Sequence, residues 1–485
     1  MPPKRRRAVS TRSQKAKKAS ASKRRRVSPD DGSPSASVPA VPPYQSAMTI
    51  EDLPDKCLLT ILRFIDPSQL VALERVSGRW CRLAQESWKH RPSIEFWRVL
   101  ERAWRRYGDL NFEPQCFIRD TLWRCGGQLR ELSFAECPPF RMSRFTLEMI
   151  GQDCPNLSSL DLTGRLLADS AVQGLLAMPK LRRLSLSKCF ESGNMAYEAR
   201  KNIDKALVEV LPKLRRLTVL NMEGNRGIGT QGGKQWFIGL KLTSLNVVGT
   251  GLTPQPFQSF VHEHAGVLRE FRASEYTFTC GSYWYSLNSS GRDVQMSSLA
   301  KSMLQQWQRD LRTLEMREFT LCFEEEFKPA IRLLPNLTNL TELRVPNNKL
   351  INDELLASIC LNCSKLQTVS VASCPLTAKG LQNLAVLDEL KHVDVAKLKC
   401  VTDGLFLSLA VKMTLETVNM RDCGARVTRD SVYYLLLNCP SISFIDVRGC
   451  KRMTPEAVGE FTKCQHVKIL SSATAAVAAQ APSTS

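Results

Sequence analysis

Apolar residues fall at offsets one, four and six of a recurring unit, and a thiol or amide residue closes many units at offset nine. Leu340, Leu343 and Val345 are followed by Asn348, and Leu366, Val369 and Val371 by Cys374. Leu415, Val418 and Met420 lead to Cys423, and Ile442, Ile445 and Val447 to Cys450. The first apolar position recurs at Leu129, Leu157, Leu181, Leu217, Leu242, Leu268, Leu311, Leu340, Leu366, Leu390, Leu415, Ile442 and Val467. Most intervals are 24 to 29 residues, with wider ones of 36 before Leu217 and 43 before Leu311. Alternating apolar residues predict a short strand whose inward side chains bury against those of neighbouring units. Offset nine turns the chain away, and Cys or Asn there can bond backbone groups that the turn leaves unpaired. Thr377, Thr402, Thr428 and Thr454 each precede a run suited to a helix and are placed to cap its start.

A unit of this length with the template Leu-x-x-Leu-x-Leu-x-x-Cys/Asn resembles the leucine-rich repeat. The resemblance implies an α/β repeat solenoid over residues 128–470, a horseshoe of parallel strands with a long concave face and no enclosed pocket. Such a face holds another macromolecule. Offsets three, five and seven point into it, which brings Arg272, Glu315, Arg317, Glu342 and Arg344 there, with His392, Asp394, Asn419, Arg421, Asp446 and Arg448 in later units. From these, Arg272, Glu315, Arg317, Arg344, Asn419, Arg421 and Arg448 are candidate substrate-binding residues. Together they suit an acidic or phosphorylated segment, while each alone reads equally as a solvated strand residue. The insertion 276–310 adds Tyr276, Phe278, Tyr283, Trp284 and Tyr285 among Gly and Ser, either a contact loop or a self-packed one.

Ahead of the repeats, over residues 48–93, the pattern changes. Leu53-Pro54 reads as extended, because proline excludes the helical region for the residue before it. A helix follows with Leu58, Ile61, Leu62 and Ile65 on one face, Asp66-Pro67 breaks it, and Ser68 can start the next. Leu70 and Leu73 then precede Val76-Ser77-Gly78-Arg79-Trp80-Cys81-Arg82-Leu83-Ala84. This segment resembles an F-box, with Gly78 a mild departure. The resemblance implies a three-helix module that docks on the adaptor subunit of SCF ubiquitin ligases, and through it on cullin. Carried over position by position, Leu53, Pro54, Leu58, Ile61, Leu62, Leu70, Leu73, Val76 and Trp80 would supply the adaptor-facing or supporting apolar surface. So short a segment cannot bury all these side chains in a core of its own, and a dense exposed apolar surface finds a partner. The competing reading is a helical cap on the open end of the solenoid. Residues 94–127, with Phe96, Trp97, Trp104, Tyr107 and Trp123, read as a helical connector between the two modules.

Charge changes the picture only at the N-terminus. Of the net +20 on 485 residues, residues 1–29 carry twelve Lys/Arg and no acid. Residues 1–47 read as a disordered basic tail, and 471–485 as a second disordered tail. Lys4-Arg5-Arg6-Arg7 and Lys23-Arg24-Arg25-Arg26 resemble a bipartite nuclear-import signal bound by an import receptor; nucleic-acid attachment and a solubilising tail are the rival readings. Ser28-Pro29 and Ser33-Pro34 are placed so that phosphate would offset the second cluster. No secretory signal and no membrane span are expected.

Nine of the seventeen cysteines fall at offset nine or three residues before offset one, which makes them small buried hydrophobes. Cys360 and Cys363 have a metal-like spacing without a second pair, so no metal is expected. Gly227-Ile228-Gly229-Thr230-Gln231-Gly232 matches a dinucleotide fingerprint but lacks the acidic ribose contact, and His262-Glu263-His264 lacks a third ligand. No cofactor and no catalytic constellation are expected. The expectation is a non-catalytic substrate receptor of an SCF-type ubiquitin ligase, nuclear with a share in the cytoplasm. Its expected partners are the adaptor, cullin, a protein substrate and an import receptor, with neither membrane nor nucleic acid. The alternative is a nuclear leucine-rich-repeat scaffold without a ligase role.

Overall fold

The structure is a computed structural model that describes residues 49–107, 114–190, 197–226, 228–229, 233–252, 260, 264, 266–274, 301, 304–317, 328, 331–454, 456, 459, 461 and 466–471. Met1–Leu53 and Pro54–Ser485 form two units. The described part of the first is one 3-10 turn, Ile50–Asp52, entered where Asp52 Oδ2 accepts from Thr49 N at 2.8 Å and Thr49 Oγ1 at 2.9 Å.

The second unit opens with α1 (Asp55–Leu62), α2 (Pro67–Leu73) and α3 (Gly78–Lys89). The start of α2 differs from expectation. Asp66, not Ser68, is its cap: Oδ1 accepts from Ser68 N at 2.8 Å, and Pro67 takes the first helical position, where a missing N–H loses nothing. Ser77 caps α3 by accepting from Trp80 N at 3.3 Å. Residues 94–127 were expected to be helical and begin instead with a strand, Ser93–Glu95, followed by α4 (Phe96–Tyr107) and α5 (Gln115–Cys125). Ile94 is buried between exposed Ser93 and Glu95, and Pro92 O accepts from Arg130 N at 2.8 Å and Glu131 N at 3.0 Å. That three-residue alternation is too short to read from sequence, but it gives the helices an edge on the repeats. α4 packs on α2, and α5 packs on α3 and on the helix Arg144–Asp153.

Among the described residues, fourteen parallel strands then form one sheet in chain order, from Ser93–Glu95 to Lys468–Leu470. The register sets offset four of each unit beside offset four of the next, as in Leu343 with Val369, Val393 and Val418. These residues are at most 3% exposed. The last unit departs from the sequence reading. Ile469 pairs with Ile445, so Ile469 holds offset four and Val467 is not offset one. Among the described residues this strand has a neighbour on one side only, so pairing rather than a buried apolar pattern sets its register.

A feature that sequence did not announce is offset eight, which is left-handed in unit after unit. Lys188, Asn347, Ser373, Lys397 and Asp422 have φ of 52 to 62°, and Gly224 and Gly449 stand at the same place with φ of 78 and 75°. The reason is a backbone ladder: the offset-eight N–H donates to the offset-seven carbonyl of the next unit, as Lys397 N does to Arg421 O and Asp422 N to Arg448 O, both at 2.7 Å. Offset nine adds a second tie. The thiols of Cys189, Cys374, Cys423 and Cys450 donate to Leu162, Val345, Val395 and Met420 carbonyls of the preceding unit at 2.9 to 3.2 Å. Asn225 makes four such bonds, accepting from Cys189 N and Phe190 N and donating to Leu186 O and Met222 O. Desolvation pushes the Cys189 and Cys423 thiols up to about 12 and those of Cys374 and Cys450 up to about 11, so they are inert packing residues at neutral pH.

The helices are tied across units as well. Thr377 and Thr428 cap their helices, accepting from Gly380 N at 3.3 Å and Asp430 N at 3.2 Å, whereas Thr402 makes no cap bond. Each capping threonine is itself held from the unit before. Asp353 accepts from Thr377 N and Oγ1, and Asp403 from Thr428 N and Oγ1 and from Ser431 Oγ. No helix among the described residues is long and apolar enough to cross a membrane.

Candidate functional site

Two surfaces concern function: the helices α1–α3 and the open face of the sheet. The nine residues expected at the adaptor surface divide sharply. Leu58, Leu62 and Leu70 are 0% exposed and Trp80 is 6%, so they build the helical core and can only support a surface. Leu73 is half-buried, Pro54 is exposed, and Leu53, which belongs to the first unit, is half-buried. Ile61 and Val76 are the large apolar side chains of the set that face outward, at 41 and 61%. Sequence reasoning missed Phe64, which is 87% exposed in the turn after α1, where its N–H donates to Ile61 O at 3.0 Å. Its only signal was a large aromatic off the helical spacing.

The module is anchored from behind. Arg79 Nε and Nη2 donate to Asp55 Oδ1 at 2.9 and 2.8 Å, joining α3 to α1. Arg91 donates to the Leu62 and Ile65 carbonyls at the frayed end of α1, and burial lowers its pKa. Arg124 of α5 grips Glu74 with two bonds of 2.9 Å, and this pair, 19 and 11% exposed, raises the arginine pKa. Planar two-point pairs of this kind fix orientation as well as charge. These bonds tie α1–α3 to one another and to α5, with Ile61, Phe64 and Val76 left outside.

On the sheet the expected charges are present but are spent on one another. Glu315 is 1% exposed, which corrects its reading as a substrate contact: Arg317 bonds it from the same strand and Arg272 lies 3.7 Å away from the neighbouring one. Arg272 also reaches Glu342 at 3.8 Å, Arg344 bonds Glu342, and Arg317 lies 3.9 Å from Glu223. Farther along, Arg448 clasps Asp446 with bonds of 2.6 to 3.1 Å, which raises its pKa through that hydrogen bond first. Arg421 lies 3.3 Å from Asp422. Asn419 accepts from Arg421 N at 3.1 Å, as Asp394 does from Ala396 N and Asp446 from Arg448 N. Offset five is thus a turn-forming position, which accounts for these Asx residues locally. Arg272, Arg317, Arg344, Arg421 and Arg448 keep 34 to 50% of their side-chain surface, so a partner meets paired rather than free cations.

A family model described as F-box-like matches residues 50–91, and a leucine-rich-repeat model matches residues 362–385. "F-box/LRR-repeat protein 12" of Mus musculus is 30% identical over 154 residues, 29% of this chain and 40% of that protein. Its Homo sapiens counterpart is 31% identical over 152 residues, with the same shares. The chain joins an F-box-like segment to leucine-rich repeats. The chain is also 25% identical over 429 residues to "Putative RNA-binding protein EEED8.10" of Caenorhabditis elegans, across 86% of this chain and 52% of that one. It therefore spans about half the length of the worm protein and less of the mammalian ones. Among solved structures it is similar to the complex of Rad7 and Elc1 in yeast (TM-score 0.44, 15% identity, 87% of this chain and 93% of that one). An internalin from Listeria monocytogenes is matched at TM-score 0.37 and 13% identity, over 87% of this chain and 99% of that one.

The remaining candidate residues do other work. Cys360 and Cys363 are buried thiols pushed up to about 12 and about 11 by desolvation, with Cys363 Sγ donating to Leu337 O at 3.4 Å. Gly229 donates to Asp204 at 2.7 Å, and an added Cβ there would meet Leu252 at 2.8 Å, so the glycine answers to packing. His264 is fully buried and stacks on Phe260 at 4.1 Å. The import clusters Lys4–Arg7 and Lys23–Arg26, the aromatics of 276–285, His262 and Glu263, and the tail beyond 471 lie outside the described residues.

Proposed function

We propose that this chain is the substrate-recognition subunit of an SCF-type ubiquitin ligase, docking through α1–α3 on the adaptor and presenting the repeats to a target protein. The observation that carries the reading is the exposure of Ile61, Phe64 and Val76 at 41, 87 and 61% within the segment matched by the F-box-like model. Large apolar side chains left outside an otherwise packed, arginine-clamped module are a partner surface. The receptor would do no chemistry. Holding a lysine-bearing target beside a loaded conjugating enzyme raises effective concentration, and that is its contribution. The two basic clusters near the N-terminus would bring it to the nucleus through an import receptor.

Affinity purification of the tagged chain from cells tests this. Phe64→Asp with Val76→Asp should remove adaptor and cullin peptides while leaving the thermal unfolding profile unchanged, because neither side chain is buried. Retention of both peptides by the double variant would sink the reading. Leu53→Ala with Pro54→Ala is the parallel probe of the extended entry to α1.

A further inference from the structure

The turns that leave the strands of the Leu340, Leu390, Leu415 and Ile442 units carry free positive charge, and the Leu366 turn between the first two carries none. Lys349, Lys397, Lys399, Arg426, Lys451 and Arg452 are exposed there and make no ion pair among the described residues. Arg421 and Arg448 stand on the same turns and are paired with Asp422 and Asp446. Among the acids at the starts of the following helices, Asp353 is engaged by Thr377 and Asp403 by Thr428 and Ser431. The ladder bonds Lys397 N to Arg421 O and Asp422 N to Arg448 O hold consecutive turns side by side. At about 4.8 Å per strand, four steps from the Leu340 unit to the Ile442 unit span roughly 19 Å of cationic rim.

We infer that this rim binds the phosphate backbone of a nucleic acid. The choice over an acidic protein segment rests on what the rim lacks. Protein partners draw their affinity from apolar and aromatic anchors. Of the exposed large apolar side chains of these units, Leu361, Val386, Leu407, Tyr433 and Leu437 belong to the helical segments, and Val411 and Met413 to the segment that enters the next strand, not to the turns that leave the strands. Phosphate recognition requires only Lys and Arg in a row, and is sequence-independent. A backbone with one charge per nucleotide can run along such a row, and an arrangement without aromatic platforms predicts little preference for base identity.

The test uses the full chain and a fluorescein-labelled 20-nucleotide poly(U) RNA, with oligo(dT) of equal length, read by anisotropy as salt is raised. The variant changes Lys349, Lys397, Lys399, Arg426 and Lys451 to Gln. Each neutralised contact should flatten the log–log salt dependence by about 0.7, so the slope should fall by up to about 3.5 and low-salt affinity by at least tenfold. Replacing the four lysines by Arg should keep both. Because the N-terminal clusters also attract RNA, a second chain with Lys23, Arg24, Arg25 and Arg26 changed to Gln must retain rim-dependent binding. Hydrogen exchange of the unmutated chain should show RNA protecting turns 346–352, 396–401 and 448–453, a readout independent of how the variants fold. An unchanged slope in the rim variant, loss of all binding in the tail variant, or a polyglutamate of equal charge competing as well as RNA would each overturn the inference. Adaptor capture by the rim variant should be unaffected, which separates this outcome from failure of the ligase reading.

Discussion

Asn225 offers the sharpest test of how the repeats cohere. It is 0% exposed, and its side chain accepts from Cys189 N at 3.0 Å and Phe190 N at 3.1 Å and donates to Leu186 O and Met222 O at 2.8 Å. Leucine has the same number and branching of heavy atoms and a larger volume, so Asn225→Leu removes the hydrogen bonds without opening a cavity. Cys189 N and Leu186 O keep each other at 3.3 Å, whereas Phe190 N and Met222 O keep no partner among the described residues. Two buried unpaired backbone groups cost about 1–3 kcal/mol each, so the expected loss is about 4 kcal/mol. Asn225→Cys restores one donor, in the manner of Cys189 toward Leu162 O at 2.9 Å, but no acceptor for Phe190 N. It should recover about 1 kcal/mol. Repeat arrays do not unfold in one step, so a single melting temperature is the wrong observable. Hydrogen exchange with mass spectrometry on peptides covering 181–190 and 217–225 is the right one. A 4 kcal/mol loss lowers protection there by about a thousandfold at roughly 1.4 kcal/mol per decade, with little change in the 415–450 units. A drop below tenfold for leucine, or cysteine proving no better than leucine, would refute the claim that amide bonds at offset nine hold successive units together.

Three further outcomes follow from the same geometry. The buried thiols have folded pKa values pushed up to about 12 at Cys125, Cys154, Cys189 and Cys423, against an ordinary value of 9.0. Between those values the unfolded chain releases protons that the folded chain keeps, so stability is full below pH 9 and falls as pH rises toward 12. Ultraviolet thiolate absorbance of the native chain at pH 9 to 10 should lack a contribution from Cys125, Cys154, Cys189 and Cys423. Asp403→Ala removes the acceptor for Thr428 N, Thr428 Oγ1 and Ser431 Oγ and should cost about 1–2 kcal/mol, seen as faster exchange confined to the helix Arg429–Asn438 and its neighbours. Arg165, 2% exposed, donates to the Cys137 and Pro138 carbonyls and lies 4.6 Å from the Phe140 ring, with a pKa lowered by burial. Arg165→Lys should destabilise by about 2 kcal/mol, because a single ammonium cannot reproduce the fork, and urea titration of the N-terminal repeats checks it.

The repeats were legible in sequence because a long period sampled many times overrides local ambiguity, and because thiols at offset nine read correctly as buried. Offset eight was not legible. Lys, Asn, Ser, Asp and Gly all occupy it, since the left-handed turn is imposed by a bond to the next unit and not by residue preference. The strand Ser93–Glu95 and the register of Lys468–Leu470 were missed for a related reason, both being fixed by pairing across the sheet. In the helical module, periodicity placed Leu58, Ile61 and Leu62 on one face. Which of them faces outward depends on where α3 lies across an eight-residue helix, and that is tertiary information.

The open face of the sheet makes the same point about charge. In a parallel stack each outward side chain has neighbours about 4.8 Å away on both sides, so a cation on one strand meets whatever the adjacent strands offer. Glu315 sits beneath Arg272 and Arg317 and is sealed by them, and Glu342 is shared by Arg272 and Arg344. Reversing Arg272 or Arg317 would therefore set a second negative charge beside buried Glu315 and weaken the fold before it reported on binding. Arg344→Gln, which keeps the shape and removes the charge, is the cleaner probe. If the face reads its target by charge, that change weakens capture at least tenfold at unchanged hydrogen-exchange protection of the 340–370 units. If it reads by shape and hydrogen bonding, capture persists. Pairing along the strands favours the second outcome, because the unpaired cations of these units stand on the turns at the rim and not on the face.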